Sequence, residues 1–238
     1  LTKEEGLKIV KKIIKSKKVD FLNIIRGHID TDSSLTKVIP TQGMKSSPHL
    51  DFAGDIKFES NFPIFHASKI NDVATARYAI QAGKLDMVGM TRAHIADPHI
   101  VKKIISGREN TIRPCVGATY CLDRIYEGNE ALCIHNPATG REKFIPHEIS
   151  TKADQKKKIA IVGAGPSGLE AAKVCSERGH EVIVFEASNI AGGQLNLITR
   201  SERRKDMLGI IDWRIEACKE NNVTFHFNTF ATKDIILN

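Results

Sequence analysis

The run Ile159-Ala160-Ile161-Val162-Gly163-Ala164-Gly165-Pro166-Ser167-Gly168 decides the fold of the second half of the chain. Its first four residues are apolar and predict a buried β-strand, and the glycine-rich turn after them predicts a helix that extends to about Arg178. Residues 181–185 predict the next strand, which Glu186 follows directly. A strand, a GxGxxG turn, a helix and a second strand that ends at an acidic residue form the dinucleotide-binding fingerprint.

Each position of this fingerprint suits a separate task. Gly163 permits a tight turn, Gly165 lets the backbone approach a pyrophosphate, and Gly168 lets the helix pack closely on the strand. The N-terminus of the helix, which includes Ser167, offers free N–H groups to phosphates. Glu186 supplies an acceptor for the ribose hydroxyls of adenosine. The alternative is a glycine turn with a purely structural role that binds nothing.

A second glycine turn, Gly192-Gly193-Gln194-Leu195, follows closely. This turn favours FAD, or its ADP half, over the cofactor of a plain NAD dehydrogenase, so Gly193 and Gln194 are candidate contacts. No arginine directly follows Glu186 to bind a 2′-phosphate. We therefore expect residues 158–238 to be the N-terminal part of a doubly wound, Rossmann-like FAD/NAD(P)-binding domain.

The first 107 residues alternate between helical and strand patterns, which predicts an α/β fold. Apolar runs predict three strands, at residues 19–25, 62–67 and 85–89. Capping residues predict three helices, from Thr2 to Lys15, from Asp72 to Ala82 and from Asp97 to Gly107. Residues 30–55 are polar and rich in turn-forming residues, so they are predicted to form a long loop of the kind that carries function.

Residues 108–145 contain three cysteines and little periodicity. Cys115, Cys121 and Cys133 are unevenly spaced, and thiolates on a compact segment are the ligands that iron–sulfur clusters need. Zinc bound with the help of His135 is an alternative, although the first gap is wider than in most structural zinc sites. Buried free thiols are another alternative. Cys175 and Cys218 fall in helical patterns and are predicted to fill the core.

Composition excludes several classes of protein. The chain has 238 residues, five cysteines and a net charge of +7. No segment is apolar enough for a membrane span, and no secretory leader opens the chain, so a cytoplasmic protein is expected. The excess lysines lie near the N-terminus and at Lys156–Lys158, where the polar linker 146–157 meets the next predicted strand. Aromatic residues are not interleaved with them, which favours a solvated surface over nucleic-acid binding.

Several motifs, taken in order, resemble the old-yellow-enzyme-like NADH:flavin oxidoreductases with an iron–sulfur segment. This family includes trimethylamine and dimethylamine dehydrogenases, 2,4-dienoyl-CoA reductase and N-methylproline-type demethylases. The matching segments are residues 62–70, 86–92, 95–98, 112–117, 121–126 and 133–140, followed by the fingerprint at 163–168 and the turn at 192–194.

The resemblance implies four regions. Residues 1–107 would be the C-terminal part of an FMN-binding TIM barrel, 108–145 a [4Fe–4S] segment, 146–157 a linker and 158–238 the start of the domain that binds FAD or ADP. Residues 62–67 and 85–89 would be strands seven and eight of the barrel, and phosphate sites in many barrels lie in the loops after these two strands. Arg92 would therefore bind the FMN phosphate together with the loop Ala67-Ser68-Lys69. A surface salt-bridge role is the alternative for Arg92.

The chain departs from the family pattern in two ways. Ala118 stands where the second cluster cysteine is expected, so the cluster would keep three thiolates, recruit Tyr120, Asp123 or His135, become a three-iron form, or be absent. A barrel also needs about 250 residues, and only 107 precede the cysteine segment. We therefore interpret the sequence as an internal fragment that lacks the family's substrate-site residues, which leaves the catalytic residues unassigned.

The parent enzyme is expected to demethylate or dehydrogenate an N-methylated amine or amino acid. The expected partners are a small-molecule substrate and an electron-transfer flavoprotein or NAD(P)H, with no nucleic acid and no membrane, and the resemblance leaves a homo-oligomer open. One alternative is NADPH-dependent reduction of an enoyl thioester, and another is a truncated, non-catalytic nucleotide-binding chain. The segment 26–30, after the first predicted strand, is a candidate to face substrate, although a structural role for His28 is the alternative.

Overall fold

The computed structural model describes residues 2–237, and its backbone divides into two units after Ile95. The first unit contains a parallel sheet of three strands in the order β1-β2-β3. These strands are β1 (Leu22–Ile24), β2 (Ile64–Ala67) and β3 (Met87–Gly89). The helices of this unit are α1 (Lys3–Lys15), α2 (Asp32–Val38), α3 (Leu50–Ser60), α4 (Val73–Gln81) and α5 (Thr91–Ala96), the last of which ends one residue past the division.

The helix caps of the first unit follow the sequence. The Thr2 hydroxyl accepts the Glu5 N–H at 3.2 Å, and the Glu5 carboxylate accepts the Thr2 N–H at 2.7 Å, which is the predicted capping box. The Asp72 carboxylate accepts the Thr75 N–H at 2.7 Å, and Gly83 has a positive φ of 66° after α4. Both predicted helices are therefore confirmed.

The predicted loop at residues 30–55 was wrong, because this segment contains α2 and the start of α3. Helix α2 is short and has no buried residue, so it leaves no apolar periodicity to detect. Helix α3 has no side-chain cap to mark its start. It buries Leu50, Ala53 and Ile56, but the polar residues between them make this helical spacing hard to detect in the sequence. Only residues 30–31 and 39–49 of the predicted loop lie outside regular helices.

Asp97 was also predicted wrongly, because no helix begins there. Helix α6 (Ile100–Ile105) begins three residues later, with His99 at its N-cap. The buried Asp97 carboxylate instead accepts the N–H groups of His99 and Arg113, at 3.0 and 2.8 Å. It also forms an ion pair with Lys103 at 2.6 Å. Residues 96–107 therefore pack with the cysteine segment that follows.

The second unit contains a second parallel sheet, in the order β4-β5-β6, as expected for the start of the predicted Rossmann-like domain. These strands are β4 (Lys158–Val162), β5 (Glu181–Phe185) and β6 (Thr224–His226). The helices after α6 are α7 (Tyr120–Tyr126), α8 (Pro166–Glu177), α9 (Leu195–Ile198), α10 (Gly209–Glu220) and α11 (Lys233–Leu237). A 3₁₀ stretch, Glu202–Leu208, directly precedes α10.

The core of this unit lies between the sheet and the helices α8 and α10. Leu169, Val184 and Cys218 are completely buried in it, and Cys175 packs against it. Burial raises the pKa of the Cys218 thiol to about 12, so this group stays neutral. The predicted core role of both cysteines is confirmed. No helix among residues 2–237 has the length and apolar character needed to cross a lipid bilayer.

Gly168 sets how closely α8 packs on the glycine turn. A Cβ atom at this position would lie 2.0 Å from the Gly163 carbonyl oxygen, and that oxygen belongs to backbone that cannot move alone. We expect Gly168→Ala to lower the free energy of unfolding by about 1–3 kcal/mol, as overpacking does elsewhere. Denaturant unfolding of the purified protein measures this.

Gly6→Ala is the matched control, because a Cβ atom on Gly6 in α1 would have no atom within 4 Å. That variant should gain about 0.5–1 kcal/mol from its better helix propensity. Equal stability of the two variants would show that Gly168 is not needed for close packing.

Candidate cofactor sites

The first candidate site is the glycine turn between β4 and α8. Gly163 has a φ of 97°, which favours glycine, and Gly165 is the N-cap of α8. A Cβ atom on either residue would meet nothing within 4 Å, so the backbone of the turn is open to a ligand. Ser167 lies exposed in the first turn of the helix. This open cradle at a helix N-terminus fits the pyrophosphate of a nucleotide.

Glu186 lies at the carboxyl end of β5, beside this turn. Its carboxylate accepts the Ala164 N–H at 2.7 Å, and the Ser188 N–H and hydroxyl at 2.8 and 2.7 Å. Burial acts to raise the pKa of Glu186, but the hydrogen bonds from Ser188 and Ala164 outweigh it and hold the pKa below its usual value. The side chain is therefore an ionised acceptor fixed against the fingerprint turn.

The second glycine turn lies directly against the first. The Gly192 N–H donates to the Ala164 carbonyl at 2.9 Å, and a Cβ atom on Gly193 would approach the Gly165 Cα to 3.4 Å. Gln194 is exposed and precedes α9. The structure thus brings together the three predicted elements of the nucleotide site, namely the turn, the acidic residue and the second turn.

The second candidate site lies in the first unit, at the carboxyl ends of β2 and β3. Ala67 is paired with Gly89 in the parallel register, so the loops that follow them leave the sheet at the same edge. The first loop carries Ser68 and Lys69, both buried, and the second leads to Arg92. All four residues predicted to bind the FMN phosphate therefore belong to this edge.

Two buried donors at this edge have no hydrogen-bond partner within residues 2–237. They are the Ser68 hydroxyl and the Nη1 atom of Arg92. The other arm of Arg92, Nη2, donates to the Pro40 carbonyl at 2.9 Å, and the Lys69 ammonium donates to the Met44 carbonyl. Because an unpartnered buried donor is costly, an anion that accepted from these groups would stabilise the site. The residues present therefore fit a phosphate.

The predicted metal ligands are not gathered in the same way. Cys115 and Cys133 are partly buried, and Cys121 is buried in α7. Within residues 2–237, no group of three or more His, Cys, Asp or Glu side chains is arranged to hold a metal ion. Ala118 packs against the core of the second unit. The metal role of the three cysteines therefore stays a prediction.

Sequence reasoning missed a cluster of buried charges around Trp213. The Arg113 guanidinium lies 4.3 Å from the centroid of the Trp213 ring, and His135 packs edge-on against the same ring at 5.4 Å. Arg214 donates to the His135 carbonyl at 2.9 Å and forms an ion pair with Glu170 at 2.8 Å. The only signal in the sequence was that Trp213 is the single tryptophan.

Comparison with known proteins confirms the predicted resemblance. Residues 161–216 match a family model described as an NAD(P)-binding Rossmann-like domain. The chain is 63% identical, over 98% of its length, to "Probable N-methylproline demethylase" of Rhizobium meliloti (strain 1021). It is 47% identical, over 98% of its length, to a multifunctional alkene reductase/demethylase of Caballeronia cordobensis. It is 44% identical, over 82% of its length, to an N,N-dimethylglycine/sarcosine dehydrogenase of Chromohalobacter salexigens.

The chain spans about a third of the length of these relatives, covering 34%, 34% and 28% of them respectively. Among solved structures, a 2-naphthoyl-CoA reductase in complex with 2-naphthoyl-CoA matches with a TM-score of 0.85 and 27% identity. That match covers 99% of this chain and 35% of the other. The α/β fold with its Rossmann-like domain therefore has a close structural counterpart.

The charge of Glu186 should matter for nucleotide binding. Glu186→Gln keeps the shape of the side chain but removes the charge, and hydrogen bonds to charged groups are the stronger ones. We expect ADP to bind about tenfold more weakly, as measured by titration calorimetry on the purified protein. Glu181→Gln, at the exposed start of the same strand, is the control and should bind ADP normally. Equal ADP affinity in both variants would remove Glu186 from the site.

Proposed function

We propose that this chain is part of a flavin-dependent oxidoreductase that oxidatively demethylates an N-methylated amine or amino acid. The observation that carries this proposal is the 63% identity, along 98% of the chain, to the relative named as an N-methylproline demethylase. The dimethylglycine/sarcosine dehydrogenase relative, at 44% identity, supports the same substrate class. Residues of both units lie within these alignments, so the similarity is not confined to nucleotide binding.

The proposed domain organisation places the barrel first. Residues 1–107 would be the C-terminal part of an FMN-binding TIM barrel, followed by the cysteine segment 108–145, the linker 146–157 and the nucleotide domain 158–238. Three parallel strands that pair in sequence order and are joined by helices support the barrel, because a βα-barrel is built from this repeat. The candidate site at the carboxyl ends of β2 and β3 lies where barrel enzymes carry their chemistry.

FMN would be held through its phosphate by Ala67, Ser68, Lys69 and Arg92. When bound, the flavin would accept a hydride from the N-methyl carbon of the substrate, and water would then hydrolyse the resulting iminium to formaldehyde and the demethylated amine. The residues of this chain bind and orient the phosphate, since Ser68 and Arg92 present donors that are already buried. They therefore need no further desolvation when the anion arrives.

FAD or ADP would occupy the second site, at Gly163, Gly165, Ser167, Gly168 and Glu186, with Gly193 and Gln194 beside it. The open backbone at Gly165 and the ionised Glu186 support this assignment. An iron–sulfur cluster at Cys115, Cys121 and Cys133 belongs to the proposal as a cofactor of the full-length enzyme. Because the described thiols do not form a ligand group, no reaction step is assigned to it.

A second candidate function is the reduction of an enoyl thioester with NADPH. Two comparisons favour it, because one relative is named an alkene reductase as well as a demethylase and one matching structure is a CoA-thioester reductase. The two functions differ in the direction in which electrons flow between the enzyme and its redox partner. A demethylase passes electrons out, for example to an electron-transfer flavoprotein, whereas a reductase takes them from NAD(P)H.

Substrate turnover by the full-length protein decides between these functions. We expect N-methylproline or dimethylglycine to release one formaldehyde per demethylation with an artificial electron acceptor, and we expect a dienoyl-CoA to be reduced more slowly with NADPH. FMN, iron and acid-labile sulfide are counted in the same anaerobic preparation. Faster thioester reduction would favour the reductase, and no turnover of either class would favour the non-catalytic alternative.

Arg92 gives a sharper test of the flavin site. Arg92→Ala removes a partly buried cation whose hydrogen bonds to an anion would be charge-assisted. We expect the purified variant to retain its circular dichroism spectrum and to lose at least about tenfold in FMN affinity. Arg77→Ala, at an exposed position of α4, is the control and should keep its flavin. Unchanged FMN stoichiometry in Arg92→Ala would remove this residue from the site.

A further inference from the structure

We propose that the loop of residues 40–47, between α2 and α3, is part of the phosphate site and positions Lys69 and Arg92 for the anion. This inference rests on the proposed function, because it assumes that the phosphate of FMN binds at the ends of β2 and β3. It adds a third segment to a site for which the sequence indicated only two loops. The inference rests on two sets of hydrogen bonds. Cations of the site donate to carbonyls of the loop, and groups of the loop donate to a carbonyl of the site.

The loop supplies a backbone acceptor to each of the two cations. Arg92 donates through Nη2 to the Pro40 carbonyl at 2.9 Å, and the Lys69 ammonium donates to the Met44 carbonyl. Pro40 is fully buried, so this carbonyl is a fixed acceptor and not a solvated one. Two side chains from different strand ends are thus oriented by one short segment.

The site in turn holds the loop through the backbone of Lys69. The Lys69 carbonyl accepts the Ser47 N–H at 3.1 Å and the Ser46 hydroxyl at 3.2 Å. Both Ser47 and Lys69 adopt left-handed conformations, with φ of 43° and 50°. Residues other than glycine rarely adopt such angles, and they persist where the surroundings fix them. The hydrogen bond between these two residues therefore joins two constrained positions.

The geometry leaves selected donors for a ligand. With Nη2 of Arg92 engaged by Pro40, its Nη1 is buried without a partner within the described residues, as is the Ser68 hydroxyl. Holding one arm of a planar guanidinium fixes the direction of the other arm. The loop therefore holds Arg92 in one orientation, in which Nη1 is the arm left for a ligand. A phosphate that accepted from Nη1 would also favour the closed state of the loop, in which its carbonyls accept from Arg92 and Lys69.

Such coupling is reciprocal, because a ligand that prefers the closed loop must stabilise it by the same factor by which the loop strengthens binding. If the loop merely packed over the sheet edge, changes in it would alter stability without altering FMN affinity. The two cases are therefore distinguished by measuring FMN binding and loop opening separately. Lys45 offers a probe, because it is exposed at the centre of the loop.

The first measurement is limited trypsin digestion of the full-length protein with and without FMN. We expect FMN to slow cleavage after Lys45 severalfold, while cleavage after the exposed Lys143 in the second unit proceeds at the same rate. In Arg92→Ala, FMN at the same concentration should no longer protect Lys45. Equal cleavage at Lys45 with FMN bound and with FMN removed would overturn the inference.

The second measurement uses Ser46→Ala, which removes the side-chain hydrogen bond to the Lys69 carbonyl and leaves both cationic side chains unchanged. We expect FMN to bind about two- to tenfold more weakly, as the loss of one hydrogen bond implies. Ser16→Ala is the matched control, because the Ser16 hydroxyl donates to the Ile13 carbonyl at the end of α1, and its FMN affinity should not change. A Ser46→Ala protein that folds and binds FMN like the wild type would also overturn the inference.

The outcomes separate this inference from the proposed function. If the wild-type full-length protein binds no FMN, the proposed function fails and this inference falls with it. If FMN binds and Arg92→Ala loses it, but Lys45 is not protected, the flavin site stands and the role of the loop is wrong. If Ser46→Ala does not fold, the digestion of the wild-type protein still decides.

Discussion

Parallel strand pairing is the constraint on which both candidate sites depend. In a parallel sheet all carboxyl ends lie at one edge, and each connection must return across the sheet, usually as a helix. Polar residues that follow separate strands are therefore brought together at that edge. Ser68 and Arg92 reach one edge through the pairing of Ala67 with Gly89. Glu186 reaches the fingerprint turn because Phe185, the last residue of β5, is paired with Val162, the last residue of β4.

The local geometry of the candidate nucleotide site could be predicted because it depends on neighbouring residues. Gly163, Gly165 and Gly168 are selected by steric conditions within one turn, and the structure repeats those conditions as a positive φ, an open approach and a contact of 2.0 Å for an added Cβ. Capping boxes are equally local, so the start of α1 was also predicted correctly. Where the physical requirement involves only neighbours in the sequence, the residue type reveals it.

The role of Asp97 and the contacts of the loop 40–47 could not be predicted, because they join residues that are distant in the sequence. Asp97 followed by proline is typical of a helix start, yet its carboxylate is used by the Arg113 N–H and the Lys103 ammonium. A buried carboxylate needs such partners, and only the fold supplies them. The contact of Pro40 with Arg92 spans 52 positions and involves a backbone carbonyl, which carries no sequence signal at all. The loop at 40–47 could be suspected of function only from its length.

The cysteine segment illustrates how a region without periodic structure is ordered by charge. Between Arg113 and Asn136 the described chain has one helix, α7, so regular secondary structure accounts for little of its order. Instead Arg113 stacks on Trp213, and Arg214 links the His135 carbonyl to Glu170 of α8. Breaking one partner of a buried ionic group is costly, so these contacts hold the segment in one arrangement. With Ala118 packed against the core of the same unit, these contacts account for the order of the segment through protein groups alone, whether or not the three thiolates bind metal.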